Sequence, residues 1–233
     1  MWNELADYVP NDYPGQVTAE WMVKRIKDKL PSNPVIVDVG CGAGNSVDFF
    51  RDVLPACTWI GVDIKESPEV RERRRTDAKF MDFDGINIPL PIESADLVFS
   101  RQVLEHVRYP EALLKDVARI LKRDGFMVGS TSQLEPYHSY QYWNFTPFGF
   151  KEIANDAGIP LKEIRPGIDG ATLVKRTYEG RPKSHSQYFL SESPLNQEID
   201  NWAIQTKRSV KQLLMRKLSV CGHFAFICIR SEG

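Results

Sequence analysis

The sequence predicts an α/β protein built on a parallel sheet, and three observations carry that expectation. Short apolar runs rich in β-branched residues recur along the chain, stretches of helical spacing separate them, and the first run, Val35-Ile36-Val37-Asp38-Val39, enters the glycine cluster Gly40-Cys41-Gly42-Ala43-Gly44. Parallel neighbours need a crossover connection, usually a helix, so this alternation dictates parallel strands. A β-branched run bounded by glycines reads as a buried strand feeding a tight turn. Glycines in that turn let backbone N–H groups approach a ligand where a Cβ would collide.

Taken in order, residues 16–30 place Val17, Trp21, Met22, Ile26 and Leu30 at helical spacing, which predicts an amphipathic helix packed on the core. Tyr8 and Tyr13 precede it. Strands are expected at 35–39, 58–63, 78–83, 95–100 and 126–130, a sixth beginning at 161–164, and a seventh at 223–229. Helices are expected at 45–54, 111–121 and 148–157, the last closed by Gly158. The basic run Arg71, Arg73, Arg74, Arg75 reads as a solvated face. Residues 195–218 read as one long helix inside an insertion over 168–221. A long connection of this kind is usually a lid, an interface or disorder, and here it is expected to form a cap or a homodimer contact.

With 233 residues the chain suits a single domain, 1–233, with an N-terminal helical cap over 1–33. A net charge of −1 argues against a nucleic-acid partner or an acidic membrane surface. The cysteines Cys41, Cys57, Cys221 and Cys228 form no C-x-x-C pair, so no zinc or redox motif is expected. No basic n-region leads into an apolar segment, and no membrane span is expected. A cytoplasmic location fits these features.

Two ligands compete for the glycine turn. A dinucleotide fingerprint requires G-x-G-x-x-G, and here Asn45 falls where the third glycine belongs. Asp38, two residues before the turn, would repel a pyrophosphate and suit a cationic amine. S-adenosylmethionine carries such an amine, a sulfonium and no phosphate, so the chemistry favours it as cofactor. Asp63 ends the second strand about twenty residues beyond the turn, where a carboxylate can accept both ribose hydroxyls.

Together with its neighbours this stretch resembles the class I S-adenosylmethionine-dependent methyltransferases of small-molecule type. Four ordered pieces between Val35 and Val128 carry the resemblance, and a weaker match extends to Gly158. It implies a Rossmann-like seven-stranded sheet ordered 3-2-1-4-5-7-6, with the last strand antiparallel. It further implies that Asp38, Gly40, Cys41, Gly42 and Gly44 form the donor loop, and that Asp63 binds ribose with Ile64 beside the adenine edge. The stretch from Asp84 to Pro89 is similar to the family's D-x-x-x-L-P segment, which implies adenine contacts from Asp84 and the Gly85 N–H, with Asp82 a rival. Ser100, Arg101 and Gln102, leaving the fourth strand, are expected to reach the methionine part of the donor.

Glu105-His106 resembles the family's L-E-H-V signature. Some quinone O-methyltransferases extend it to an E-x-x-E-H metal site, but Gln102 replaces the first glutamate, so no metal is expected. His106 is a candidate base, with a structural hydrogen bond across the turn as the alternative. The segment from Glu135 to Pro147 places Tyr137, Tyr140, Tyr142, Trp143, Phe145 and His138 after the fifth strand, which suggests a lined pocket for a partly apolar acceptor. It resembles the P-x-x-H … D-Y-W-R-F-T-P segment of small-molecule methyltransferases, with Gln141 and Asn144 departing at the acidic and basic positions. His138 is the first candidate general base and Tyr142 a weaker one. The expected reaction is O-methylation of a small molecule, such as a sugar, glycan or natural-product intermediate. Nucleic-acid or protein methylation, or donor binding without catalysis, stand as alternatives.

Overall fold

In the computed structural model, which describes residues 2–231, seven strands form one sheet ordered β3-β2-β1-β4-β5-β7-β6. The strands β1 (Val35–Val39), β2 (Thr58–Ile64), β3 (Lys79–Phe83), β4 (Ala95–Arg101) and β5 (Leu121–Ser132) run parallel. The strand β7 (His223–Ile229) inserts antiparallel between β5 and β6 (Leu161–Pro166). Strand order reverses between β1 and β4, and in open α/β sheets the crevice outside the carboxyl ends at such a point is where ligands bind.

Side chains alternate across each central strand, so Ile36, Leu97 and Phe99 join one apolar layer and Val37, Val39 and Val98 the other. After a short first helix, α1 (Trp2–Ala6), the first layer is filled by Met22 and Val23 of α2 (Ala19–Ile26) and Phe50 of α3 (Val47–Val53). The second is filled from α5 (Pro110–Ile120), α6 (Pro147–Asp156) and α9 (Val210–Val220). Burial on both faces is why the strands read as continuous apolar runs.

The helix expected over 16–30 is shorter than its apolar spacing predicts. Thr18 caps α2 by accepting from the Trp21 N–H, and a 3₁₀ turn over Lys27–Lys29 finishes it. Residues before Thr18 serve another purpose, since the Val17 N–H donates to Pro166 O and the Ile164 N–H to Tyr8 O. Those bonds cover the free edge of β6, which would otherwise present unpaired backbone groups. Tyr8 and Tyr13 accordingly lie along β6, with Tyr13 stacked on Trp21 at 5.2 Å.

The connection between β6 and β7 holds α7 (Gly170–Tyr178), a 3₁₀ helix (Lys183–Phe189), α8 (Pro194–Gln205) and α9. The single helix expected over 195–218 is two. Lys207 adopts φ +52, and Ser209 starts α9 with a capping box closed by Gln212, so local capping chemistry overrides the continuous apolar spacing. Residues from this connection grip the N-terminal segment. Gln16 Oε1 accepts from the Ser193 N–H at 3.0 Å and from Asn196 Nδ2 at 2.8 Å. The fully buried Lys217 ammonium donates to Pro14 O (3.1 Å) and pairs with Glu192 (3.0 Å) and Asp200 (2.8 Å). Among the described residues no helix is long and apolar enough to cross a membrane.

Candidate active site

The glycine turn leaves β1 with Gly40 at φ +73, Gly42 at +51 and Gly44 at +81. At Gly40 the space is also closed, because a Cβ there would lie 2.4 Å from Val103 Cγ2. The Gly40 N–H donates to Val62 O at 2.8 Å and the Gly42 N–H to Asp63 Oδ2 at 2.6 Å. The turn is thus drawn over the carboxyl end of β2, and Asp63 is brought to it. The second Asp63 oxygen accepts from the Ile64 N–H (2.7 Å). Burial pushes the Asp63 carboxyl up, against the pull of these two N–H groups.

Asp38 is buried in β1 and accepts a hydrogen bond from Ser46 Oγ, which in turn accepts from Trp59 Nε1 at 3.1 Å. Burial raises its pKa to about 7, against the Ser46 hydrogen bond and the charge of Arg101. Cys41 is buried beside it, and burial pushes its thiol well up, so it is an inert wall. Ile64 is 42% exposed and is the nearest side chain to Gly85, which at φ +91 turns the chain after β3. The Asp84 carboxylate accepts from the Ile86 N–H (2.8 Å), the Asn87 N–H (2.6 Å) and Asn87 Nδ2 (2.6 Å), which fixes that turn. Asp82 and Asp84 are both exposed. At the end of β4, Ser100 is buried, and its hydroxyl lacks a partner among the described residues. Arg101 pairs with Glu20 of α2, and Gln102 adopts φ +55.

Arg73 belongs to this site and was not expected in it. The helix α4 (Pro68–Glu72) is short, and the chain then returns so that Arg73 Nε donates to Gly42 O at 2.9 Å. Its guanidinium lies 4.0 Å from the Phe80 ring centroid. The basic run is therefore not a uniform solvated face, although Arg74 is exposed. Nothing in the local spacing marks Arg73, because its partner lies some thirty residues away.

A second polar group of residues gathers where β4 and β5 end and β7 begins. Glu105 is fully buried in a 3₁₀ turn (Leu104–His106), accepting from Thr131 Oγ1 at 2.9 Å, with Ser132 Oγ 3.2 Å from its other oxygen. Burial raises its pKa to about 7. With its amide oriented to satisfy both ends, Gln102 donates to Glu105 Oε1 at 2.8 Å and accepts from Ser130 Oγ at 3.0 Å. A glutamate at 102 would place a second carboxylate there.

Glu135 pairs with His223 Nε2 at 2.9 Å and lies 3.7 Å from His138 Nδ1. Burial pushes the Glu135 carboxyl up, but the His223 hydrogen bond and charge, with Ser132 and His138, hold it below its usual value. The His106 and His138 rings meet edge to face at 5.2 Å. Burial, and then the charge of His138, lowers the His106 pKa. Sequence reasoning placed Glu105 in the L-E-H-V signature without a role at the site, and gave Glu135 and His223 none. The only local signal was the adjacency of Glu105 to His106, and of Glu135 to the aromatic segment.

The aromatic segment differs from its expectation. Tyr137, Tyr140 and Tyr142 are 75%, 77% and 57% exposed, so they do not enclose a pocket. The backbone is held to the site instead. The N–H groups of Tyr142 and Trp143 both donate to Glu105 O, and Trp143 Nε1 donates to Val107 O. Gln141 Nε2 donates to Asn144 Oδ1 at 2.8 Å, so the two departures from the family pattern bond to each other.

The residues fit a donor of the adenosyl sulfonium type. A buried carboxylate, an orphaned Ser100 hydroxyl and three left-handed glycines converge at the strand-order reversal, and Gly85 leaves the Ile64 side chain open. Acid, glycine turn and second acid on a 3-2-1-4-5-7-6 sheet define the class I methyltransferase domain. Residues 37–129 match the family model described as a methyltransferase domain, and over that stretch the chain carries an S-adenosylmethionine-dependent methyltransferase domain. S-adenosylmethionine is the cofactor of this class.

Among curated proteins, it is 26% identical over 144 residues to the tRNA (carboxymethyluridine(34)-5-O)-methyltransferase of Arabidopsis thaliana, covering 60% of this chain and 34% of that protein. It is 31% identical over 96 residues to the uncharacterized methyltransferase YcgJ of Bacillus subtilis (strain 168), covering 39% and 37%. The chain thus spans little more than a third of the length of these two relatives. The solved YcgJ structure superposes with a TM-score of 0.58 at 17% identity, covering 92% of this chain and 99% of that one. A Haemonchus contortus phosphoethanolamine N-methyltransferase 2 in complex with S-adenosyl-L-methionine gives 0.57 at 17%, covering 91% and 53%.

Proposed function

We propose that this chain catalyses methyl transfer from S-adenosylmethionine to a hydroxyl of a small molecule, with His138 as general base. The observation that carries this reading is the orientation of His138. Its Nδ1 faces Pro136 O at 3.4 Å and Glu135 Oε1 at 3.7 Å, two acceptors, so the proton belongs on Nδ1. That tautomer leaves Nε2 with a lone pair to accept an acceptor's proton.

When bound, the donor supplies an electrophilic methyl group on a sulfonium. Asp38, when ionised, would attract its amine, and Asp63 would accept from its ribose hydroxyls. Asp84 and Gly85 would address the adenine, with Ile64 against its face. Gln102 joins the donor end of β4 to Glu105, whose backbone carbonyl fixes the segment that carries His138. Alignment of the two reactants is the main service, and proton removal the second. Tyr142 and His106 are secondary candidates for that proton, Tyr142 being exposed and His106 half-buried against His138.

The test is turnover. Purified protein is given S-adenosylmethionine with a panel of sugars, phenols, hydroxy acids and undermodified tRNA, and S-adenosylhomocysteine is measured. The tRNA arm answers a second reading, an RNA acceptor, which the likeness to the Arabidopsis tRNA methyltransferase supports. Donor binding without product across the whole panel would make this a donor-binding domain and end the enzyme reading. With an acceptor in hand, His138→Ala should lower kcat by about 10²-fold or more, the usual share of a general base, and leave donor affinity unchanged.

A further inference from the structure

We propose that Glu135 and His223 form a hydrogen-bonded pair that positions His138 and fixes its tautomer, so that the base is a three-residue unit, His138–Glu135–His223. The proposal rests on His138 being the base. Glu135 stands between the two histidines, with Oε1 toward His138 Nδ1 at 3.7 Å and Oε2 toward His223 Nε2 at 2.9 Å. Ser132 Oγ donates to the same Oε2, and Asn144 Nδ2 holds the Glu135 backbone carbonyl at 3.0 Å. The carboxylate therefore cannot swing away from either ring without breaking bonds from two elements.

His223 is the first residue of β7 and pairs in register with Ser132, the last residue of β5. The sheet thus fixes where Oε2 is held. Oε1 is left to face the loop histidine, which is the arrangement that favours an Nδ1–H tautomer and stabilises an imidazolium. In the reaction, the acceptor O–H proton moves to His138 Nε2 as the oxygen–carbon bond forms. The carbon–sulfur bond breaks with its electron pair remaining on sulfur, and the new imidazolium charge faces the Glu135 carboxylate. Other titratable groups face these rings. His106 meets His138 edge to face, and Glu105 adds a carboxyl whose charge couples to His223 and Glu135. Glu69 of α4 acts on His106.

Glu135 and His223 touch neither donor nor acceptor in this account, so they are positioning residues. The test needs no acceptor. Protein labelled with ¹⁵N at histidine is titrated by NMR with S-adenosylhomocysteine bound, the four imidazoles being assigned by single His→Gln variants. In the native chain His138 should appear as the Nδ1–H tautomer. Glu135→Gln should shift the His138 tautomer population toward Nε2–H, because an acceptor facing Nδ1 is replaced by an amide. His223→Gln should move that population in the same direction by less. Glu135→Asp should restore part of it.

A His138 tautomer population unaffected by Glu135→Gln in a folded, S-adenosylhomocysteine-binding protein would overturn the proposal. This outcome is separable from failure of the base itself. If His138→Ala leaves turnover intact, the reading of His138 is wrong. If that variant is inactive while Glu135→Gln keeps native kcat and pH profile, only the positioning unit is wrong.

Discussion

The Asp63 carboxylate accepts the Gly42 N–H at 2.6 Å, which fastens the end of β2 to the glycine turn that follows β1. One side chain thereby shapes the turn, and in the proposed reading its remaining lone pairs accept from the ribose hydroxyls. Asp63→Ala should weaken S-adenosylmethionine binding by about 1–3 kcal/mol, the cost of leaving hydrogen-bonding groups unpaired. Isothermal calorimetry measures it, and unchanged affinity would remove Asp63 from the site.

Arg73 holds the same turn from the other side, through Gly42 O at 2.9 Å and the Phe80 face at 4.0 Å. Arg73→Ala should lower stability by about 1–2 kcal/mol, one hydrogen bond and one partly exposed cation–π contact, and weaken donor binding. Arg73→Lys should recover little, because the planar fork supplies both contacts. Urea unfolding and donor titration on the two variants check this. Two variants as stable as the native chain would show that the turn stands without Arg73.

Burial sets a pH dependence. Asp38 and Glu105 both titrate near 7 in the folded chain, well above their unfolded values near 4. Between those limits the folded state binds more protons than the unfolded state, so stability falls as pH rises through about 4 to 7. The melting temperature without ligand should be lower at pH 8 than at pH 5, and Asp38→Asn should flatten the slope. Donor affinity should run the other way, rising with pH through about 7 as Asp38 ionises and attracts the amine. A donor affinity independent of pH between 6 and 8 would detach Asp38 from that role.

Lys217 carries a structural prediction. Its ammonium is fully buried between Glu192, Asp200 and Pro14 O, so it links α8, α9 and the N-terminal segment. Lys217→Met should cost about 3 kcal/mol, the lower end for breaking a buried ion pair, since both carboxylates keep some solvent. Thermal unfolding of the variant reads this directly, and a native melting temperature would mean that apolar packing alone seats the connection.

The strands were legible because burial on both faces leaves apolar runs that periodicity detects without knowledge of partners. The bounds of β1 and β7 agree with expectation, and β5 is longer at both ends because Leu121 and Ser132 pair with neighbouring strands. The placement of Asp38, Asp63 and the glycines around one turn was legible because strand, turn and acid lie within one crossover unit. The segment from Glu135 to Pro147 was marked by its aromatics, yet their exposure was not legible. It follows from backbone bonds to Glu105, which no local pattern encodes. The split between α8 and α9 was written at Ser209 and Gln212, but continuous apolar spacing concealed it.

By itself, the sequence determined the alternation of strands and helices, the turn after the first strand and the acids flanking it, because each is a matter of spacing along the chain. Only the tertiary structure decided that Arg73 closes on Gly42, that the N-terminal segment covers the edge of β6, and that Glu135 stands between His138 and His223. Those contacts join residues from separate elements. The residue types permit such pairings, but sheet register and packing select which of them form.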